Sequence, residues 1–169
     1  KVGDVIINSG QRLRPQEIGL AASVGHDSLN VYKSLRVAVF STGDEVRDPG
    51  KEIDPGCIYD ANRHAVIALL KSIGCVVSDL GILQDDTNSI TEALARAATN
   101  HDLLVTSGGV SAGEEDHVKD AVETLGKVNL WRLAIKPGRP IALGQVGDVA
   151  FLGLPGNPVA AMVTFMTIG

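Results

Sequence analysis

Short apolar runs alternate with helical periodicities along most of this 169-residue chain. Val37–Phe40 is a continuous apolar run, the form a strand takes when both of its faces are buried. From about Asn62 to Ile73, the residues Val66, Leu69, Leu70 and Ile73 recur at helical spacing, and Gly74 stands where such a helix would stop. Cys75 to Leu80 reads as a second strand. Asn88 to Ala98 reads as a second helix, with Ser89 and Glu92 at capping-box spacing. Leu103–Val105 is a third strand and Asp116–Leu125 a third helix. Val128–Ile135, Pro140–Leu143 and Val149–Leu152 are three more strands, with a hairpin at 146–148 between the last two. Pro158 then opens a final helix through Met166. Strands alternating with helices pair in parallel through right-handed crossovers. The predicted fold is therefore α/β, a three-layer α/β/α domain with a mostly parallel central sheet.

The stretch before Leu35 breaks this rhythm. Val2–Ile7 is compatible with a short strand, and Pro15 opens a short apolar helix over Gln16–Ala22 that Gly25 would end. Residues 1–34 read as the tail of a preceding domain or linker, and residues 35–169 as the α/β domain. The chain is expected to be a fragment of a longer protein.

Composition narrows the function classes. Apolar residues make up 44%, charged residues 21%, and the formal net charge is −5. This profile speaks against a nucleic-acid-coating surface, which needs a basic stripe, and no run is long enough to span a bilayer. Two cysteines are no disulfide framework, and the four histidines show no metal-ligand spacing. A reduced, cytoplasmic setting is the simple expectation. The nineteen glycines fall in clusters, as in tight turns or places where backbone approaches a ligand.

Those clusters fall at predicted strand ends, where open parallel sheets bind ligands. Thr106–Asp116 combines three glycines with hydroxyls between a buried strand and a helix, the makings of a phosphate loop that lacks the Walker pattern. Ser41-Thr42-Gly43-Asp44-Glu45 follows the first strand; alone it reads equally as a polar turn. In Tyr59-Asp60-Ala61-Asn62, Asp60 is either a helix N-cap or a functional acid. Lys136-Pro137-Gly138-Arg139-Pro140 places two cations on a rigid turn, suited to the oxygens of phosphate or another oxyanion. Gly153-Leu154-Pro155-Gly156-Asn157-Pro158 satisfies an N-cap with proline following, and brings a helix N-terminus to a strand end. Acids beside an anion site call for a metal ion between them, and Mg²⁺ binds through one or two carboxylates plus phosphate oxygens. From the residues alone the reading is an anion-binding, Mg²⁺-assisted α/β domain.

These motifs, with Pro15–Leu20 and Asp60–Arg63, resemble the molybdopterin-binding domain family, in its MoeA and gephyrin E-domain branch, with a MoaB/Mog-like fold. The Ser-Gly-Gly-Val-Ser run is shared with adenylyltransferase relatives. The Lys136–Gly138 and Leu154–Pro158 motifs and the Ile-Gly-Leu segment point to the molybdate-inserting branch. The resemblance implies that adenylated molybdopterin and molybdate become molybdenum cofactor with release of AMP, assisted by Mg²⁺. It implies catalytic roles for Glu45, Asp60 and Asp116, with Asp60 and Asp116 also as metal ligands. It implies substrate contacts from Thr42, Gly43, Asp44, Asn62, Ser107, Gly108, Gly109, Ser111, Gly113, Glu114, Lys136, Arg139, Pro155, Gly156 and Asn157. Many relatives carry lysine where Arg139 stands, which keeps the charge but changes its geometry. The resemblance further implies a homodimer in the full-length protein, a Mog-type adenylyltransferase as a partner, and no nucleic-acid or membrane partner. Two other readings are a Mog-type adenylyltransferase activity and a non-catalytic gephyrin-like scaffold; a CinA-like nucleotide-cleaving activity is a more distant one.

Overall fold

The computed structural model describes residues 1–109, 116–132 and 140–168. Its internal contacts divide it into two units, Lys1–Lys33 and Ser34–Gly169.

The first unit holds α1 (Pro15–Ser23). Glu17 closes its first turn. The Glu17 carboxylate accepts from the Arg14 backbone N–H at 2.9 Å and from the Arg14 guanidinium at 2.6 Å. The strand expected at Val2–Ile7 does not form. The chain turns there instead, with Asp4 N–H donating to the Lys1 carbonyl. That local pairing replaces a ladder.

The second unit is built on a six-stranded sheet. Its elements are β1 (Arg36–Thr42), β2 (Val46–Arg47), β3 (Ile58–Tyr59), α2 (Ala61–Ser72), β4 (Val76–Leu83) and α3 (Thr87–Ala98), followed by β5 (Leu103–Ser107), α4 (His117–Leu125), β6 (Gly126–Arg132), β7 (Pro140–Val146), β8 (Val149–Leu154) and α5 (Pro158–Ile168). The sheet order is β4-β1-β5-β8-β7-β6, and β2 pairs with β3 apart from it. The β4/β1, β1/β5 and β5/β8 pairings are parallel; β8/β7 and β7/β6 are antiparallel. The hairpin expected at 146–148 joins β7 to β8.

Strand alternation divides the core into two layers. Ala38, Phe40, Leu104 and Phe151 face one side, packed with Ile90 and Leu94 of α3 and Val118 and Val122 of α4. Val37, Val39, Val105, Leu152 and Leu154 face the other, packed with Val66 and Leu70 of α2 and Ala161 and Phe165 of α5. This is the predicted three-layer α/β/α arrangement with its mostly parallel sheet.

Two local expectations change. The α3 cap is Asp86, whose carboxylate accepts from Ser89 N–H at 2.8 Å, so Ser89 sits inside the first turn rather than capping it. The strand expected from Val128 begins at Gly126, directly after α4, and is described to Arg132. The rest of its expected span lies outside the described residues.

Candidate active site

The switch from one helical layer to the other falls between β1 and β5. The helix after β1 is α2, on one face; the helix after β5 is α4, on the opposite face. Strand ends flanking such a switch leave a crevice, the usual place for a ligand in open α/β sheets. A cavity of about 210 Å³ occupies it. The β1 end contributes Ser41, Thr42, Gly43 and Glu45; the β3–α2 junction contributes Tyr59, Asp60 and Asn62. The β5 end adds Ser107, Gly108 and Gly109, the turn before α5 adds Gly156 and Pro158, and Asp85 enters from the β4–α3 connection. Four of the five clusters singled out in the sequence thus have residues on one cavity.

Ser107 and Leu154 are register partners on β5 and β8, and Gly108 N–H donates to the Leu154 carbonyl at 3.1 Å, which locks the two following turns side by side. A Cβ on Gly156 would make ordinary van der Waals contact with Gly108 Cα, at 3.8 Å. Asn62 donates its side-chain N–H to the Gly156 carbonyl at 2.7 Å and so joins the N-termini of α2 and α5. Gly109 has a φ of +63°, and a Cβ there would lie 2.6 Å from Val118 Cγ2 and 2.9 Å from Thr42 Oγ1. Only glycine fits this place, because both the conformation and the space exclude a side chain.

The candidate acids occupy different environments. Asp60 is buried and caps α2: Oδ1 accepts from Arg63 N–H at 3.1 Å and Oδ2 from Arg63 Nε at 2.7 Å. The same guanidinium also binds Asp48 and Asp79. Asp60 is therefore a held carboxylate, with both oxygens engaged. Asp116 is buried and caps α4 through Lys119 N–H at 2.9 Å, while its Oδ2 has no hydrogen-bond partner among the described residues. Burial pushes its pKa above the ordinary carboxylate range, helped by repulsion from Asp120 and Asp85. Asp116 is not among the residues lining the cavity.

Asp85 is a cavity acid that the sequence motifs do not single out. Burial raises its pKa, with further repulsion from Asp44, Glu45 and Asp86, while His117 acts in the opposite direction. Its one signal in the sequence is its place just after β4, beside the Asp86 cap. Ser41 is likewise absent from the expected contacts, although it continues the β1 apolar run into the cavity. Glu45 lines the cavity and is exposed, whereas Asp44 is exposed outside it and gives its carbonyl to Arg47 at 2.7 Å. Asn157 caps α5, accepting from Ala160 N–H at 3.0 Å, and Pro155 is buried beneath the turn. Ser111, Gly113, Glu114, Lys136 and Arg139 lie outside the described residues.

Among the described residues no group of three or more His, Cys, Asp or Glu side chains is placed to hold a metal ion. Mg²⁺ needs less, since it binds by one or two carboxylates plus ligand oxygens. Glu45 and Asp85 on the cavity wall meet that requirement by number and type, and Asp116, off that wall, keeps an Oδ2 without a partner among the described residues. Asp60, expected from the resemblance as a metal ligand, already has both oxygens engaged by Arg63.

A glycine-turned loop, buried hydroxyls and two helix N-termini around one crevice of an α/β sheet are an arrangement suited to an anionic ligand. The comparisons make the class specific. The chain belongs to the family described as the probable molybdopterin binding domain, whose model matches residues 38–169. A molybdopterin molybdenumtransferase of Haemophilus influenzae is 47% identical over 165 residues, covering 98% of this chain and 41% of that protein. One from Nostoc is 34% identical, covering 98% of this chain and 39% of that protein. The crystal structure of a molybdopterin biosynthesis moeA protein from Pyrococcus horikoshii superposes with a TM-score of 0.79 at 32% identity, over 95% of this chain and 40% of that one. A molybdenum cofactor biosynthesis protein B structure, 19% identical with a TM-score of 0.61, shares the fold over 82% of this chain and 91% of its own. The chain thus spans about two fifths of the length of the curated relatives it matches.

Proposed function

We infer that this chain is the molybdopterin-binding part of an enzyme that inserts molybdate into adenylated molybdopterin and releases AMP. The observation that carries this reading is the convergence of the Thr42–Glu45, Asp60–Asn62, Ser107–Gly109 and Gly156–Pro158 segments on one cavity, in a chain 47% identical to a molybdopterin molybdenumtransferase. In this reading Gly108 and Gly109 let the backbone turn toward the ligand, and Ser107 adds a hydroxyl donor. Thr42, Gly43 and Asn62 shape the wall, while Asn157 and Pro155 set the direction of α5. Glu45 and Asp116, with Asp85, are the functional acids, and Asp60 works through Arg63 to hold the start of α2. Ser111, Gly113 and Glu114 extend the loop around the ligand, and Lys136 and Arg139 bring positive charge to molybdate or phosphate oxygens.

Mg²⁺ would be held by Asp116 and Asp85, where its charge would shield phosphate oxygens from the surrounding carboxylates. The phosphate–phosphate link to AMP is the bond that must break, and carboxylates this close to it would otherwise repel it. Residues 1–34 are, in the same proposal, the tail of a preceding domain or a linker, and the full-length enzyme is a cytoplasmic homodimer supplied by a Mog-type adenylyltransferase.

The test is calorimetric titration of this chain with adenylated molybdopterin, with and without Mg²⁺ and molybdate. Saturable binding that tightens with Mg²⁺ is expected, and Asp85→Asn should remove the Mg²⁺ effect while leaving binding of the ligand. Failure of both this chain and the full-length enzyme to bind adenylated molybdopterin would refute the reading.

A further inference from the structure

Ser41 and Ser107 are register partners on the adjacent parallel strands β1 and β5, at their carboxyl ends. Ser41 lies on the same face as Val37 and Val39, and Ser107 on the same face as Leu103 and Val105; this is the face covered by α2 and α5. Both residues line the cavity, together with Asp60–Asn62 at the start of α2 and Gly156 and Pro158 at the start of α5. They are 2% and 7% exposed, and among the described residues neither hydroxyl oxygen has a hydrogen-bond partner. Buried hydroxyls normally find a partner, since leaving one unmade is costly. Two neighbouring exceptions on one cavity wall require a reason.

The surroundings supply one. The helices α2 and α5, of 12 and 11 residues, both begin at this wall, and their N-termini carry positive dipole ends. The nearest carboxylate on the α2 side, Asp60, is already engaged at both oxygens by Arg63. The cavity acids that are not so engaged, Glu45 and Asp85, come from other segments. Two O–H donors beside two helix N-termini suit an acceptor-only group with several oxygens at tetrahedral spacing.

We propose that Ser41 and Ser107 form a subsite for a tetrahedral oxyanion, seated on the α2/α5 face of the sheet at the ends of β1 and β5. The subsite deepens the function proposed above and rests on it for its biological ligand. Two oxyanions of that reading share the chemistry, a phosphate group of the pterin ligand and free molybdate.

The experiment measures binding of orthophosphate and of molybdate to this chain by calorimetry, in a buffer free of other oxyanions. It compares the wild type with Ser41→Ala, Ser107→Ala and the double variant, with the exposed Ser72→Ala as control. Each substitution at the subsite should weaken binding of the preferred anion by about tenfold or more, because a hydrogen bond to a charged group is lost. Without anion, the same variants should melt at or above the wild-type temperature, since an unsatisfied buried group has been removed. A merely structural hydroxyl would show the reverse, with a lowered melting temperature and unchanged anion affinity. Loss confined to orthophosphate would assign the subsite to the pterin phosphate; loss confined to molybdate would assign it to the metal oxyanion. The proposal is overturned if the wild type binds neither anion, if the variants bind both as the wild type does, or if both single variants are destabilised without anion. Wild-type affinity of the double variant for adenylated molybdopterin would also overturn it and leave the functional reading standing. Serine-dependent anion binding with no binding of adenylated molybdopterin would do the opposite.

Discussion

Gly109→Ala and Gly147→Ala place the same methyl group on backbones with nearly the same conformation, φ +63° and +58°, in different surroundings. An L-residue in that region costs about 1–2 kcal/mol wherever it stands. At Gly147, in the β7–β8 hairpin, a Cβ meets nothing within 4 Å, so that strain is the whole penalty. At Gly109 the Cβ would lie 2.6 Å from Val118 Cγ2 and 2.9 Å from Thr42 Oγ1. Val118 is fully buried in the α3/α4 layer and Thr42 is 5% exposed, so neither has room to yield. Overpacking of this kind adds about 1–3 kcal/mol. Gly109→Ala should therefore be less stable than Gly147→Ala by about 1–3 kcal/mol, read from urea unfolding midpoints at unchanged m-value. The cause can be isolated by adding Val118→Ala, which removes the nearer obstruction. The double variant should be less destabilised than the sum of its parts, with a coupling of about 0.5–3 kcal/mol. Equal midpoints for the two glycine variants, or strict additivity with Val118→Ala, would refute the claim that the loop is pinned between β1 and α4.

The charged groups give three further expected outcomes. Asp116→Asn keeps a capping oxygen for Lys119 N–H but removes a buried charge whose pKa is raised by burial, so it should melt at or above wild type at pH 7 and above Asp116→Ala, which loses a cap worth about 1 kcal/mol. Because a raised carboxylate pKa destabilises the fold at higher pH, the gain of Asp116→Asn over wild type should shrink in thermal melts as pH falls toward about 4. Arg63→Met leaves the buried Asp60 carboxylate uncompensated and should cost about 3–5 kcal/mol by denaturant unfolding, with Arg63→Lys recovering only part, since one ammonium cannot reach three carboxylates in a fork. Glu17 and Asp102 are each held at a pKa of about 2, chiefly by hydrogen bonds from the Arg14 and Arg36 side chains. Ordinary carboxylates titrate at about 4, so the contribution of Glu17 and Asp102 is intact above that pH and is lost as pH falls toward about 2. Acid unfolding of Asp102→Asn should accordingly be less steep over that window than that of the wild type.

The parts of this fold that are legible in the sequence are those whose burial pattern repeats. Val37–Phe40 is apolar at every position because α2 and α5 cover one face of β1 and α3 and α4 the other. Val66 and Leu70 mark the buried stripe of α2 by spacing alone, whereas Ile73, counted on the same stripe, lies just past the helix and is 55% exposed. The illegible parts lack repetition. The β2/β3 pair has two residues on each strand, too few to show a period, and is set by Ile58 N–H reaching the Glu45 carbonyl and Asp60 N–H reaching the Arg47 carbonyl. Val2–Ile7 has strand composition, but locally Asp4 N–H closes a turn onto the Lys1 carbonyl. In the site, glycine clusters and caps announce themselves because they obey local rules. Asp85 and Ser41 do not, since their meaning comes from register and from which segments meet them across the sheet.

That register also explains how one crevice can hold groups of opposite preference. Successive residues of a strand point to opposite faces, so Ser41 and Thr42, or Thr106 and Ser107, divide between the two helical layers. Ser41 and Ser107 fall on the α2/α5 side, with two helix N-termini and a carboxylate already paired with Arg63. Thr42 falls on the α3/α4 side, near Val118 of α4, whose cap is the unpartnered Asp116, with Asp85 in electrostatic reach of that carboxylate. Gly108 and Gly109 carry the chain from the β5 end toward the α4 side, and a side chain at Gly109 would fill the crossing. A ligand lying across the crevice would therefore meet donors on one face of the sheet and carboxylates on the other. Such a partition suits a ligand that presents a tetrahedral oxyanion to one side and needs a divalent cation on the other. It also predicts that substitutions on the two faces separate: Ser41→Ala and Ser107→Ala should weaken anion binding at any Mg²⁺ concentration, whereas Asp85→Asn and Asp116→Asn should leave Mg²⁺-free binding equal or tighter and reduce its gain from Mg²⁺. Loss of Mg²⁺ dependence in the serine variants would show that the two faces act as one site and that the partition is wrong.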